Sequence, residues 1–565
     1  MRKPMTAFCV ACMPIAMAVA SGCPNPGPTN APSPTASQSG TAPRSATSVV
    51  APVHGCQIAP ATRSVMAQLK RPVHAKLFTP VVDQIPDEVR EAHSLAVRVA
   101  KGVLQALVEG SDGRFSYEVV ELDKRTRPQE RLDAVSLLGA GDDSGVVFAL
   151  DELKGSTRID WYDPSKAGVG LEFRFANAIR GLSMRAAKRA IRVGQLVGHH
   201  EPRLSDPNLI LGLDTSMRSL LAKNHALVDH VPDFEVVDVD LQRGDAPVNP
   251  ELEGLLIVQP ELALTEKELH RIDEFVLSGR KLFVAASAVN VSPGDRAMHA
   301  VLDTHGLSPL LLGYGMELRE DIVLDNLELA NVEPRRCDRS PAFIYAQCPS
   351  PSAAGVNHSA CGFAPFFFDS PELALTSSLV LRADKQPEEA ANLRAVATTS
   401  SHGQRRTGPV PLNPLQKWVI NGTEERIVVA ATISGRIRSA FATGDERQRV
   451  PEGESSSVVV VSAGSLFSNP YVRAIGQATN AAQTPRSNKP FVAASGLSLE
   501  CAADRFGQAQ LMPAFLLLQT SFDWMDMTPE FAKLSEQAWC GDAVPAEVSG
   551  HAGTLSTQTD GGTGQ

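Results

Sequence analysis

The sequence predicts an α/β protein in two parts: a small mixed layer, then a larger and mostly parallel sheet covered by helices on both faces. Three observations carry this. In some windows apolar residues recur at helical spacing, as in Val89, Ala92, Ala96, Val99, Val103 and Leu107. In others they run without interruption, as at 254–258 and 281–286, the signature of a strand buried on both sides. The two kinds of window alternate along a chain of 565 residues, too long for one ordinary domain, and a hydrophobic content of 43% suffices for a large core.

The chain opens with Arg2 and Lys3, an apolar stretch at 5–19, and the small residues Ala20, Ser21 and Gly22 ahead of Cys23. This resembles a bacterial lipoprotein signal, so residues 1–22 read as a cleaved signal peptide and Cys23 as the lipidated residue. An uncleaved anchor and a simple secreted form stay open. Residues 23–63 are rich in Pro, Ser, Thr, Ala and Gly. With little apolar surface to offset their ordering entropy, they read as a flexible tether.

The body is expected from Ser64. A strand at 74–78, a helix at 86–108 stopped by Gly110 and Gly113, and a strand at 115–122 make a β-α-β unit. A strand pair at 145–150 and 156–162 and a helix at 171–189 complete a domain over 64–189. The order resembles a small thioredoxin-like α/β layer without a redox Cys-x-x-Cys. A second domain spans 190–332. Its strand 191–197 runs into Gly198-His199-His200-Glu201-Pro202. A helix at 215–223 and strands at 234–241 and 254–258 follow. Thr265-Glu266-Lys267-Glu268 is a capping box for a helix that turns Leu269, Ile272, Val276 and Leu277 inward. Gly279 ends that helix before a strand at 281–286. Residues 333–424 read as an irregular, cysteine-bearing excursion whose run Phe366-Phe367-Phe368 is local core. Strands at 425–433 and 457–462 and a helix at 509–525 complete the second domain within 425–540. Residues 541–565, small and polar, read as a disordered tail.

Of nine cysteines, Cys9 and Cys12 leave with the signal and Cys23 carries lipid, leaving Cys56, Cys337, Cys348, Cys361, Cys501 and Cys540. In an exported chain these favour disulfides over free thiols, and the sequence does not choose their pairing. Zinc is disfavoured without a Cys-x-x-Cys spacing, and no metal is expected. A net charge of −10 argues against nucleic-acid binding. No stretch after the leader reaches the roughly eighteen apolar residues of a span, so the expected membrane contact is the N-terminal lipid.

Read in order, these segments resemble the GldG family, the auxiliary component of a gliding-motility-associated ABC transport system. The stretches that carry the resemblance are 70–78, 172–180, 193–202 (against a strand-to-loop signature of the form GxxxGHGEP), 264–285, 321–325, 434–441, 458–469 and Phe522-Asp523-Trp524. The resemblance implies that the larger domain is like a class I glutamine-amidotransferase sheet lacking that chemistry. It implies ABC permease and ATPase subunits as partners. It also implies membrane helices at both ends and an acidic residue near Ser462-Ala463-Gly464, neither of which this sequence has.

Candidate chemistry is sparse. His199, His200 and Glu201 follow a strand, where ligands of α/β sheets bind, and could hold a metal or move protons. Adjacent residues of an extended chain point to opposite sides, so loop-shaping hydrogen bonds are the plainer reading, with this as the place for any ligand. An amidotransferase needs a cysteine on a tight turn after a strand; here the strand ending at Val258 leads into Gln259-Pro260-Glu261, and no cysteine lies between Cys56 and Cys337. The run from Gly139 to Gly145 lacks the lysine of a phosphate loop, so a partner must supply any ATPase, and no cofactor is expected. The basic run Arg180, Arg185, Lys188, Arg189 and Arg192 reads as a solvated helix end or a contact for acidic lipid heads or a partner. The expectation is a non-catalytic, lipid-tethered envelope protein facing the periplasm or exterior beside an ABC-type transport or gliding assembly. A ligand-binding module for a sugar or peptide, and an envelope hydrolase with an unrecognised site, are the alternatives.

Overall fold

The computed structural model describes residues 57–80, 87–122, 144–159, 170–204, 233–326, 341–347, 372–386, 391–414, 422–441, 454–475 and 499–537, with a few isolated positions between them. The leader, Cys23, the expected helix at 215–223, Phe366-Phe367-Phe368, most of the Gly139–Gly145 run and the tail lie outside the described residues. So do Cys56, Cys337, Cys348, Cys361 and Cys540, while Cys501 contributes its backbone alone.

The folded body starts earlier than the expected end of the tether at 63. Helix α1 (Pro60–Ala67) begins with Pro60, whose fixed φ suits a first turn. Ile58 and Met66 enter the first core, and the Ala59 amide donates to Glu172 Oε1 at 2.7 Å. Then come β1 (Val73–Pro80), α2 (Asp87–Glu109), β2 (Phe115–Leu122), β3 (Gly145–Leu150), β4 (Leu153–Arg158) and α3 (Leu171–Ala186). The sheet order is β2-β1-β3-β4, with β1 parallel to β2 and antiparallel to β3. These are the crossover, strand pair and helix that the sequence predicts. The last strand starts at Leu153 rather than 156 because the turn is tight, with Asp151 at φ +51°. Leu77, Leu104, Phe148 and Phe175 pack at its centre, the two rings edge to face at 5.5 Å.

The second sheet contains β5 (Ile191–Val197), β6 (Phe234–Asp240), β7 (Gly254–Val258), β8 (Lys281–Ala285) and β19 (Ser456–Val461) in the order β6-β5-β7-β8-β19, all parallel. Helix α4 (Glu266–Leu277) joins β7 to β8. Every residue of β7, β8 and β19 is buried, which is why they read as apolar runs. Beyond β19 the sheet continues antiparallel through β18 (Val428–Gly435), β15 (Leu379–Leu381) and β11 (Met316–Leu318), with β16 (Ala391–Thr398) also on β18. The parallel character thus belongs to the half of the sheet that strands and helices in alternation build.

The segment expected to be an irregular excursion, 333–424, is corrected where it is described. Strands β15 and β16 extend the main sheet. Strand β13 (Ile344–Tyr345) pairs with β14 (Glu372–Leu373), and β17 (Gly403–Arg406) with β12 (Ile322–Asp325). Apart from the eight-residue β16, these strands have two to four residues, too few positions for a period to register in sequence. Two smaller elements, the ribbon β9 (Val289–Val291) with β10 (Ala300–Leu302) and helix α5 (Ser308–Gly313), follow β8 in the chain and lead to β11.

Helices α6 (Pro470–Ile475), α7 (Leu499–Met525) and α8 (Pro529–Lys533) complete the fold. Ala514, Leu517, Leu518 and Phe522 of α7 pack on the sheet with Val258, Phe283 and Val459. Its C-terminal end is held by Lys281, whose buried ammonium donates to the carbonyls of Trp524 at 2.7 Å, Met525 at 3.3 Å and Met527. Burial pulls the Lys281 pKa down to about 7 against the nearby Asp526 carboxylate. The same helix end meets α3, which packs on the first sheet. Arg180 of α3 pairs with Asp523 and Asp526, and Asn177 donates to Asp523 at 2.5 Å. Burial raises the Asp523 carboxyl even so. Arg189 also faces Asp526, and Arg192 faces Glu251 at 3.0 Å. These three members of the basic run therefore serve as joint and surface ion pairs. Among the described residues, no helix is long and apolar enough to cross a membrane.

Candidate functional site

In the parallel half of the second sheet the chain goes from β5 outward to β6, then returns to the other side of β5 for β7. The direction of winding reverses between β5 and β7, and open α/β sheets place ligands outside the carboxyl ends of such a strand pair. His199, His200 and Glu201 follow β5, and Gln259-Pro260-Glu261 follows β7, so the structure brings together the two loops that the sequence singled out.

The loop after β5 is folded around His199. Glu201 turns back so that its Oε2 accepts the His199 amide at 2.7 Å while its Oε1 lies 3.2 Å from Nδ1. On the other side of the ring, Nε2 lies 3.2 Å from Glu268 Oε2. Glu268 is the third residue of α4 and closes the capping box: Thr265 N–H and hydroxyl both donate to it at 2.8 Å. Burial alone would push the Glu268 carboxyl up, but the Thr265 donors and the His199 ring together hold it below its usual range. Both carboxylates are buried, with side-chain exposures of 0% and 2%.

His200 plays no part in this cluster. It is exposed, at φ +64°, where a side chain is strained and glycine is not. The GxxxGHGEP signature has glycine at this position. The rest of the loop is equally occupied: Gln195 donates to the Pro202 carbonyl at 2.7 Å and accepts the Leu204 amide at 3.0 Å. The two loops are also stitched to each other, because the Glu261 and Leu262 amides donate to the His199 carbonyl at 2.8 and 3.1 Å. His199 and Glu201 are thus joined by Glu268, a residue that sequence reasoning assigned only to a helix cap, and His200 is turned away. Among the described residues, no group of three or more His, Cys, Asp or Glu side chains is placed to hold a metal ion.

At the end of β7, where a nucleophile would stand on its turn, Gln259 takes φ +29° and is buried. Its carboxamide accepts the Ser287 amide at 2.9 Å and donates to the Ser287 carbonyl at 3.1 Å and to Asn290 Oδ1 at 2.9 Å. The backbone of Gly464 passes so close that a Cβ there would fall within the Gln259 carboxamide. An acidic side chain, which the resemblance implies near this point, has no room at 464 while Gln259 is in place.

A family model described as an ABC-type uncharacterized transport system, auxiliary component, matches residues 192–495, more than half of the chain. The chain belongs to this family. The matched region opens at β5 and its signature loop, and takes in every strand of the second sheet. Membership supports an auxiliary role in an ABC-type transport system. No curated protein matches the chain. One solved structure that does, the mmIFT52 N-terminal domain, is 13% identical and covers 49% of this chain and 88% of its own, with a TM-score of 0.26. At that score the likeness carries no argument.

Other stretches behind the resemblance turn out to be polar staples. Asp321 and Asp325 bracket β12: Asp321 accepts the Ser378 amide at 2.8 Å and hydroxyl at 2.6 Å, and Asp325 does the same with Ser400 at 2.8 and 2.5 Å. Asp273 of α4 accepts from the Tyr314 hydroxyl at 2.7 Å, the Ser439 hydroxyl at 2.6 Å and the Ala440 amide at 3.0 Å, tying the 434–441 segment to that helix. Burial, then the Asp273 charge, raise the Tyr314 phenol well above its ordinary value. Each of the three aspartates meets partners far away in sequence, so none of these roles has a local signal.

Proposed function

We propose that this family member is a non-catalytic scaffold, tethered to the cell envelope by an acylated Cys23, that docks its α/β surfaces on the permease or ATPase subunits of an ABC-type export or gliding assembly. The observation that carries this reading is the state of the switch point. The crevice where such a sheet would hold a ligand or a reacting group is spanned by the His199–Glu201–Glu268 cluster and by amides of one loop bonded to a carbonyl of the other. The polar groups there bind one another, which favours a shape-keeping loop over a sugar or peptide site. Gln259 on the turn after β7 supplies no nucleophile. The leader and the tether give the scaffold its anchor and reach.

Crosslinking in intact envelopes followed by purification of the tagged chain tests the proposal. Recovery of a permease or ATPase subunit is expected, together with radioactive palmitate on the mature chain. Recovery of neither subunit overturns the partner assignment. An unlabelled, freely diffusing chain overturns the tether.

A further inference from the structure

We propose that the carboxyl edge of β7 is a built recognition slot for a primary carboxamide, filled in this structure by the protein's own Gln259. A primary amide offers one carbonyl oxygen and two N–H donors, and the slot answers all three. The Ser287 amide donates to the oxygen at 2.9 Å. The Ser287 carbonyl and Asn290 Oδ1 accept the two hydrogens at 3.1 and 2.9 Å. The groups that form the slot are themselves fixed. Asn290 donates through Nδ2 to the Ala288 and Asp303 carbonyls at 2.9 and 3.0 Å, which turns its Oδ1 toward the slot, and the Ser287 hydroxyl donates to the Leu375 carbonyl at 2.6 Å.

Selectivity follows from the atoms. A carboxylate of the same shape would set lone pairs against the Ser287 carbonyl and Asn290 Oδ1, and a hydrocarbon would leave the buried Ser287 amide and carbonyl and the half-buried Asn290 Oδ1 without this partner. Gly464 supplies the space on the remaining side. Gln259 reaches the slot from a backbone in the left-handed region at φ +29°, so the three bonds hold a locally strained residue in place. Asn290 is only half-buried and its bond to Asp303 is exposed, so the slot adjoins the surface there. The ligand class is a primary carboxamide, either a small free amide or the side chain of a partner's glutamine or asparagine. The inference is independent of the scaffold reading, which stands if the slot fails.

The test vacates the slot. Gln259→Ala in the full chain should unfold at a lower temperature than the wild type. Propanamide should restore its Tm in a saturable manner, while propionate should not and wild type should not respond. N-acetylglutamine methylamide is the second arm. Rescue by propanamide alone assigns the slot to small amides, and rescue by both shows that it admits a side chain. Equal rescue by propanamide and propionate, or rescue by neither, overturns the proposal. Should Gln259→Ala not fold, Gln259→Glu gives a separate reading. Its Tm deficit at neutral pH should shrink as acid protonates the new side chain and restores a donor, and a deficit independent of pH overturns the proposal.

Discussion

Nε2 of His199 and Oε2 of Glu268 lie 3.2 Å apart, and this one contact ties the loop after β5 to the first turn of α4. Replacing His199 by Phe keeps the bulk and leaves two buried carboxylates without their shared partner. Breaking a buried pair from one side is strongly unfavourable, so His199→Phe should lower the unfolding free energy by about 3 kcal/mol. Urea unfolding measures this. A loss below about 1 kcal/mol would mean that Thr265 and the loop amides suffice to hold the carboxylates.

His200 gives the opposite result. Its φ of +64° is strained for a side chain that touches neither Glu201 nor Glu268. His200→Gly should leave the protein as stable as wild type or more stable, by up to about 1 kcal/mol. A thermal scan showing marked destabilisation would mean that the exposed imidazole has a partner in the folded state.

Lys281 makes the stability depend on alkaline pH. Its folded pKa of about 7 lies below the ordinary 10.5, so the folded state sheds a proton that the unfolded chain still holds. Below about pH 7 both states carry the charge and the burial penalty is fully present. Between about 7 and 10.5 the unfolded state binds more protons, and stability rises with pH by linkage. Lys281→Met lacks this contribution. The unfolding free energy of wild type minus that of Lys281→Met should therefore increase between pH 7 and pH 10, and a difference that stays flat refutes the assignment.

Arg180 joins two halves of the protein through two carboxylates, Asp523 and Asp526, both nearly buried. Arg180→Ala should cost about 3 kcal/mol or more, and Arg180→Lys should recover little of it, because one ammonium cannot span two carboxylates as a planar guanidinium does. Hydrogen exchange should show α3 losing protection before β7 and β8. Uniform loss across α3, β7 and β8 would mean that the joint does not separate them.

How much of this was legible in the sequence depended on whether the cause was local. The capping box at Thr265–Glu268 and the buried runs of β7 and β8 are set by neighbours a few residues apart, and they stood in the sequence. The separation of His199 from His200 was expected from the alternation of an extended chain, but the structure turns His200 away through a left-handed φ of +64° instead. The role of Glu268 was hidden because its second partner lies 69 residues away. The pairing of Asn177 and Arg180 with Asp523 spans about 345 residues, although the segments holding both ends had been noticed separately. Strands β13 and β14 were illegible for another reason: two residues cannot display a period.

Gly464 and Gln259 were also read apart, one as a missing acid and the other as a missing nucleophile, and the structure makes them one feature. A methyl group at 464 would collide with the Gln259 carboxamide, so Gly464→Ala should destabilise by about 2 kcal/mol, as overpacked cores do. Gln259→Ala should destabilise by a similar amount through its three lost bonds and the space left behind. If the two effects arise in the same place, they cannot add. Once the carboxamide is gone, the alanine at 464 has somewhere to go, and the double variant should be more stable than the sum of the single losses predicts by about 1–2 kcal/mol. Additive losses in the double-mutant cycle would separate the two residues and remove the explanation for glycine at 464.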